Sequence, residues 1–413
     1  MNERRVVVTG AGVVSSVGVG VDVFWQSLVE GKSGITATTS FDASQMRCRI
    51  AGEIKDFDIT NWITPKEARR LDVFCHYAVA AADEAVKQSG LTTDPAFNPT
   101  RAGALIGCGI GGVKTLQEQS RVLETRGPSK SSPLMVPMMI LDMASGFVSI
   151  QHQLRGPNFA VVSACASASH AIGEAMWTIK RGDADAMVTG GTEACLCELG
   201  VAGFSAMKAL SERNDDPQRA SRPFDAERDG FVPSEGAGIL VLEELEHAKA
   251  RGADILGEIV GYGSSGDAYH ITAPDATADG PKRAMEMAMA HAGVTPAQMG
   301  YINAHGTSTP LNDKTETLAI KKAFGDAAYK IAVSSTKSMT GHALGAAGGL
   351  ESIAVLMALK TGIVPPTVNY ENPDPDCDLD YVPNTARQVN PIIAMNTNLG
   401  FGGHNAALIF RKF

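Results

Sequence analysis

The sequence predicts an α/β protein with largely covered sheets. Three observations carry this. Short β-branched runs alternate with longer Ala-rich runs along the chain. No low-complexity stretch or long linker interrupts the alternation. One segment recurs 172 positions later, as a duplicated unit would.

The elements follow in order. Strands are read over 5–8, 104–106, 159–162, 186–188, 239–242, 255–260, 331–334 and 407–410, each a short aliphatic run. Helices are read over 23–28, 78–89, 170–181, 281–292, 318–324 and 349–359. Residues 369–380 are rich in Pro and Asp and read as a surface loop. Shifted by 172, residues 163–175 overlie 335–347: Ser163, His170, Ala171, Gly173 and Ala175 recur as Ser335, His342, Ala343, Gly345 and Ala347. That register pairs Cys165 with Lys337 and His170 with His342. It predicts that His342 and His305 converge on the Cys165 sulfur at roughly 3–5 Å, while His170 serves packing or a subunit contact.

The bulk numbers set limits. A chain of 413 residues holds roughly two or three domain-sized units and needs no staple to build its core. Net charge is −9, so no general attraction to nucleic acid or anionic membrane is expected. The seven cysteines are odd in number, irregularly spaced and without CxxC, which argues against a disulfide framework or a zinc site and fits a reducing cytoplasm. The start Met1-Asn2-Glu3-Arg4-Arg5 runs into three valines and then glycines, a buried strand rather than a signal peptide. No run of 18 or more apolar residues is read, so no membrane span is expected.

Four segments carry chemistry. Val161-Val162-Ser163-Ala164-Cys165-Ala166-Ser167 takes a strand through a turn of small residues into a helix. The helix dipole would favour a thiolate at Cys165, although a buried structural cysteine fits this segment equally well. Tyr301-Ile302-Asn303-Ala304-His305-Gly306-Thr307-Ser308-Thr309 ends a strand on a histidine followed by small hydroxylated residues. It can present an imidazole and two hydroxyls to a cleft, or hold a satisfied core histidine. Lys337 falls in the apolar, small-residue run Ser335–His342, where it needs a partner; Glu351 is the nearest carboxylate along the next helix. Gly400-Phe401-Gly402-Gly403 sets an aromatic plug in a flexible backbone, or a tight turn beside the last strand.

Together these motifs resemble the β-ketoacyl synthases of fatty-acid synthesis. Cys165 in Ser-Ala-Cys-Ala, NAHGTST at 303–309, STKSMTGH at 335–342 and GFGG at 400–403 stand in that family's order and spacing, and the resemblance spans nearly the whole chain. Gly263–Thr272 looks like the synthase II branch, 3-oxoacyl-(acyl-carrier-protein) synthase II, rather than synthase I. The resemblance implies a thiolase-like fold: two α/β halves related by pseudo-symmetry in a layered α-β-α-β-α core. Residues 1–255 would carry the nucleophile, and residues 256–413 the His, Lys and gate motifs.

It also implies roles. Cys165 takes the acyl chain as a thioester, and the N–H groups of Cys165 and Phe401 form an oxyanion hole. His305 and His342 stabilise the enolate that malonyl decarboxylation releases. Lys337, paired with Glu351, orders the site, and Phe401 is a gate. Thr307 and Thr309 bind the phosphopantetheine arm; His270 and Thr272 lie in the synthase II-like run and join the substrate-binding set. Ile110, with Leu134 and Met135 where the family has two phenylalanines, lines the acyl pocket. Lys66, Arg69, Arg70, Lys130 and Lys208 dock an acidic acyl carrier protein, although a solvated helix face accounts for Lys66, Arg69 and Arg70 equally well. No metal or resident cofactor is expected, since the carrier brings the phosphopantetheine. The expected assembly is a cytoplasmic homodimer.

The pattern departs from the family at Thr397-Asn398-Leu399, which puts gate timing in doubt, and at Leu134-Met135, which puts acyl-chain preference in doubt. Rival readings remain. Gly10-Ala11-Gly12 follows a strand as in a dinucleotide fold, but Ser15 stands where a third glycine is needed. A degradative thiolase needs a second cysteine at Phe401, a chain-initiating synthase uses Cys-His-Asn, and a chain-length factor lacks the nucleophile. A ketosynthase subunit of a type II polyketide or polyene pathway is the serious alternative.

Overall fold

The computed structural model describes residues 4–413; Met1, Asn2 and Glu3 of the basic start lie outside the described residues. The chain runs twice through one order of elements. The first pass is β1 (Val6–Ser15), α1 (Val73–Ser89), β2 (Ala102–Gly107), α2 (Met143–His152), β3 (Asn158–Val161), α3 (Ser167–Lys180), β4 (Ala186–Glu193) and β5 (Gly236–Glu244). The second is β6 (Gly257–Gly266), α4 (Asp279–Ala292), β7 (Tyr301–Asn303), α5 (Pro310–Phe324), β8 (Ala332–Ser334), α6 (Ala347–Thr361), β9 (Ile393–Gly400) and β10 (His404–Arg411).

Strand order is β8-β7-β9-β10-β6-β1-β5-β4-β2-β3, which reads alike outwards from the central β6–β1 pair. β2 pairs in parallel with β3 and β4, and β7 with β8 and β9; the other neighbours are antiparallel. α3 and α6 pack on each other between strands of both passes, while α1 covers β1 and β5 and α4 covers β6 and β10. The result is the helix–sheet–helix–sheet–helix layering of the thiolase-like fold.

Most predicted elements are present with longer bounds. The first strand, read as ending at Val8, continues through Gly10 and Gly12 to Ser15. A Cβ at Gly10 would lie 2.0 Å from the Ala85 carbonyl oxygen, and one at Gly12 1.9 Å from that of Ala81. Gly263 and Gly261 of β6 meet the Ala284 and Ala288 carbonyls of α4 at 2.0 and 2.4 Å in the same way. Gly10-Ala11-Gly12 therefore lets a helix press onto a strand and is no dinucleotide turn. The helix read over 78–89 starts at Val73, capped by Asp72, whose carboxylate accepts the Phe74 N–H at 3.5 Å.

One expectation is corrected, and one helix needs comment. Residues 344–361 are long and, on average, apolar enough to cross a membrane, with mean hydropathy 1.3, although Glu351 and Lys360 interrupt the apolar run. They are 83% buried inside the protein, and a helix covered by both sheets is apolar all round. The duplication is present, but its register is not 172. The strand ends Val161 and Ser334 are 173 residues apart, which is why that shift looked right. The helix starts Ser167 and Ala347 are 180 apart. Each is preceded by one 3-10 turn, Ala164–Ala166 or Leu344–Ala346, whose first residue has positive φ: 50° at Ala164 and 45° at Leu344. Cys165 thus matches Gly345, and His170 matches Leu350. Lys337 and His342 belong to the longer second connection, which folds the short helix Lys337–Thr340.

Candidate active site

Cys165 occupies the turn between β3 and α3. Ala164 takes the left-handed conformation, which a residue with a Cβ disfavours. The turn is held by its own serines: the Ser163 N–H donates to Ser167 Oγ at 2.9 Å, and the Ser167 hydroxyl donates to the Ala164 carbonyl at 2.7 Å. The end of β9 closes on it. A Cβ at Gly400 would lie 2.6 Å from the Ser163 carbonyl oxygen and 3.3 Å from the Cys165 amide nitrogen. Phe401 follows, and Gly402 and Gly403, at φ 89° and 73°, reverse the chain into β10.

Two histidines meet the sulfur. His342 Nε2 is 3.1 Å from Cys165 Sγ. The Cys165 sulfur and one nitrogen from each of His305 and His342 lie within 4.8 Å of one another, the separation expected of groups sharing one small substrate. His305 is fixed through its backbone: its N–H and that of Gly306 donate to Glu316 of α5 at 2.7 and 2.8 Å. Behind it, the Lys337 ammonium donates to the His305 carbonyl at 2.6 Å and pairs with Glu351 of α6. Asn398 of β9 completes this layer, donating to Glu351 at 2.7 Å and standing 3.4 Å from His305 Nδ1.

Burial decides the protonation states. It pushes the Cys165 thiol up to about 12, against the opposing pull of Lys337. Desolvation of a fully enclosed sulfur thus works against the thiolate that a helix terminus favours. Burial, reinforced by Lys337, holds both imidazoles well below the usual histidine range, so they are neutral at neutral pH. Burial raises the Glu351 carboxyl, and Lys337 pulls it back.

Above these groups opens a cavity of about 380 Å³. Cys165, His305, His342, Thr307, Thr309 and Phe401 line it, and Thr272 and Lys208 stand in its wall. The Thr307 and Thr309 hydroxyls are 3.1 Å apart. His270 is not in the wall; it lies in an exposed loop, where its Nδ1 accepts the Thr272 and Ala273 N–H groups. Ile110, Leu134 and Met135 are outside this wall, as are Lys66, Arg69, Arg70 and Lys130, all four exposed. His170 is buried, with Nδ1 2.6 Å from Ser163 Oγ.

Sequence reasoning passed over Asn398, Glu316 and Glu193. Asn398 was noted only as part of a departure. Glu316 reads as one more polar residue of a charged helix, although it is fully enclosed. As for metals, one sulfur and two imidazoles form a soft donor set of the kind zinc takes. The ammonium that depresses both imidazoles opposes a cation in the same place.

Residues 3–248 match the beta-ketoacyl synthase N-terminal domain, and residues 256–371 match the beta-ketoacyl synthase C-terminal domain. The chain belongs to the β-ketoacyl synthase family. This synthase is 53% identical over 413 residues to 3-oxoacyl-[acyl-carrier-protein] synthase 2 of Synechocystis sp., covering 100% of this chain and 99% of that one. It is 50% identical over 412 residues to the protein of that name from Coxiella burnetii, with the same coverage. Among solved structures it resembles a type II polyketide ketosynthase in complex with its acyl-carrier protein and bound to the hexaketide. There the TM-score is 0.91 and identity 35%, covering 100% of both chains.

Proposed function

We propose that this β-ketoacyl synthase is an acyltransferase that elongates fatty acyl chains, condensing an acyl group on Cys165 with malonyl-(acyl carrier protein). The products are 3-oxoacyl-(acyl carrier protein), CO2 and free carrier. The observation that carries the reading is one nucleophilic sulfur facing two neutral imidazoles, with a buried Lys–Glu pair behind them.

The chemistry follows from the protonation states. Acylation passes the Cys165 proton to the departing carrier thiol as sulfur attacks the carrier thioester, with His342 Nε2 beside the sulfur. Malonyl-carrier then enters. Its C–CO2 bond breaks and the electron pair becomes an enolate, which the N–H groups of His305 and His342 stabilise. A neutral imidazole donates one hydrogen bond without surrendering its proton, which suits an enolate. The enolate carbon attacks the acyl carbonyl, whose oxyanion is held by the Cys165 and Phe401 N–H groups, and the Cys165 thiolate departs and takes up one proton from solvent, which balances the negative charge of the malonyl carboxylate lost as CO2. Lys337 and Glu351 hold the field and the His305 backbone. Thr307 and Thr309 bind the pantetheine arm, with Thr272 and His270 on the loop at the cavity mouth.

Further parts of the reading rest on the same family membership. Residues 1–255 form the nucleophile half and 256–413 the half of the His, Lys and gate motifs. Ile110, Leu134 and Met135 shape the acyl pocket; Lys66, Arg69, Arg70, Lys130 and Lys208 dock the carrier. The enzyme uses no resident cofactor and works in the cytoplasm as a homodimer. β3 ends the sheet order, and Phe159, Val162 and Ile150 are exposed on or near it, a face that a second copy would cover. Identity of 50–53% to the elongating synthases, against 35% to the polyketide enzyme, favours elongation over a polyketide pathway. Supplying the pure protein with malonyl-carrier and a panel of acyl-carriers tests this. Saturated acyl-carriers should yield 3-oxoacyl-carrier and CO2; turnover only with poly-β-keto intermediates would favour the alternative.

A further inference from the structure

Glu193 ends β4 fully buried beneath the site, and the mechanism gives it no part. One carboxylate oxygen accepts the Gly109 N–H at 2.9 Å and the Gly345 N–H at 3.1 Å; the other accepts the Ile110 N–H at 3.2 Å. The Cys108 thiol stands 3.5 Å away. These partners come from two places. Gly109 and Ile110 follow β2 in the first pass; Gly345 belongs to the turn before α6 in the second, beside Leu344 of the cavity wall. The packing leaves no slack. A Cβ at Gly345 would lie 2.3 Å from the Gly109 amide nitrogen, and one at Gly109 2.6 Å from the Glu193 carboxylate. The same Gly109 Cβ would be 3.5 Å from the Ala164 carbonyl, next to the nucleophile.

A buried carboxylate held by neutral N–H donors is costly, since burial pushes it up to about 7 against the pull of those donors. An apolar residue would fill the volume without that cost but could not tie three backbone N–H groups from two connections to one point. We propose that Glu193 is a positioning residue for acyl-chain selection. It fixes the Gly109–Ile110 backbone against the Leu344–Gly345 turn and so sets how far the Ile110 side chain stands into the acyl pocket. The inference rests on the reading of Ile110 as pocket wall.

Glu193→Gln keeps the shape but replaces one acceptor oxygen by an NH2 that faces N–H donors, so the loop loses its hold. The test measures kcat/KM of the full-length protein for a medium-chain and a long-chain acyl-carrier, in wild type, E193Q, I110A and the double variant. E193Q should move the ratio toward long chains by on the order of fivefold, and should move it no further once Ile110 is alanine. An unchanged ratio in E193Q, or an equal and additive shift in the I110A background, would overturn the proposal. If I110A itself leaves the ratio unchanged, the reading of the pocket fails rather than the role of Glu193. Should E193Q not fold, Glu193→Asp, which keeps the charge but is one methylene too short to reach both connections, is read by the same ratio and the same cycle.

Discussion

At the scale of single residues, burial favours the neutral forms of the groups that meet at Cys165. Cys165 rests as a thiol and both histidines as free imidazoles, so no charge is stored beside the sulfur except the Lys337–Glu351 pair. Cys165→Gln should abolish condensation yet keep malonyl-carrier decarboxylation, because its amide stands in for the acyl thioester. In that background His305→Ala should lower CO2 release by about 10²–10³, the usual cost of one lost hydrogen-bond donor to a developing anion. An unchanged rate would remove His305 from enolate stabilisation. The same decarboxylation should stay flat between about pH 6 and pH 8, since imidazoles pushed well below the ordinary range do not titrate there. A fall as pH drops toward 6 would contradict the neutral pair. Glu351→Ala leaves a buried ammonium unpaired and should cost about 3–5 kcal/mol of stability, read from the denaturant midpoint. The residues that the structure brings together at Cys165 were legible because each stands out from small or apolar neighbours. Glu193 and Glu316 were not: Glu193 is held by backbone N–H groups of other connections, and Glu316 by the His305 and Gly306 N–H groups and the Thr397 hydroxyl, which leave no mark in the local sequence.

At the scale of elements, the connections make the difference between two similar passes. The first goes from β3 to α3 through a short turn and presents Cys165. The second is longer between β8 and α6 and uses the extra residues to bring in Lys337 and His342. Helices and strands were legible from their apolar runs. The register of the repeat was not, because Ala- and Gly-rich turns align almost as well at the wrong offset as at the right one. Ile110 lies on the loop after β2, so its volume should limit chain length: Ile110→Ala should lengthen the accepted acyl chain and Ile110→Phe shorten it, read from product lengths. Identical products would place the pocket elsewhere. Arg69 and Arg70 stand exposed after the short helix Pro65–Ala68. Reversing both charges should raise KM for carrier-bound substrates and spare small thioester analogues, and added salt should mimic it, since surface attraction is screened over about 8–10 Å. Equal effects on both substrate types would rule out docking.

At the scale of the whole molecule, the duplicated halves supply what neither could alone. Their central helices α3 and α6 are covered by both sheets, and Cys165 meets His305 and His342 where the two passes touch. Such convergence of distant segments cannot be read from any local window; the order of motifs foretold it, as did the repeat, although in the wrong register. The central claim is that one sulfur carries the growing chain between two half-reactions. Intact-protein mass spectrometry after mixing with acyl-carrier, followed by a chase with malonyl-carrier, tests it most directly. The account requires an acyl adduct on Cys165, absent in Cys165→Ser, that disappears on the chase as equal amounts of CO2 and 3-oxoacyl-carrier form. An adduct on another residue, or one released as free acid with no 3-oxoacyl product, would contradict it.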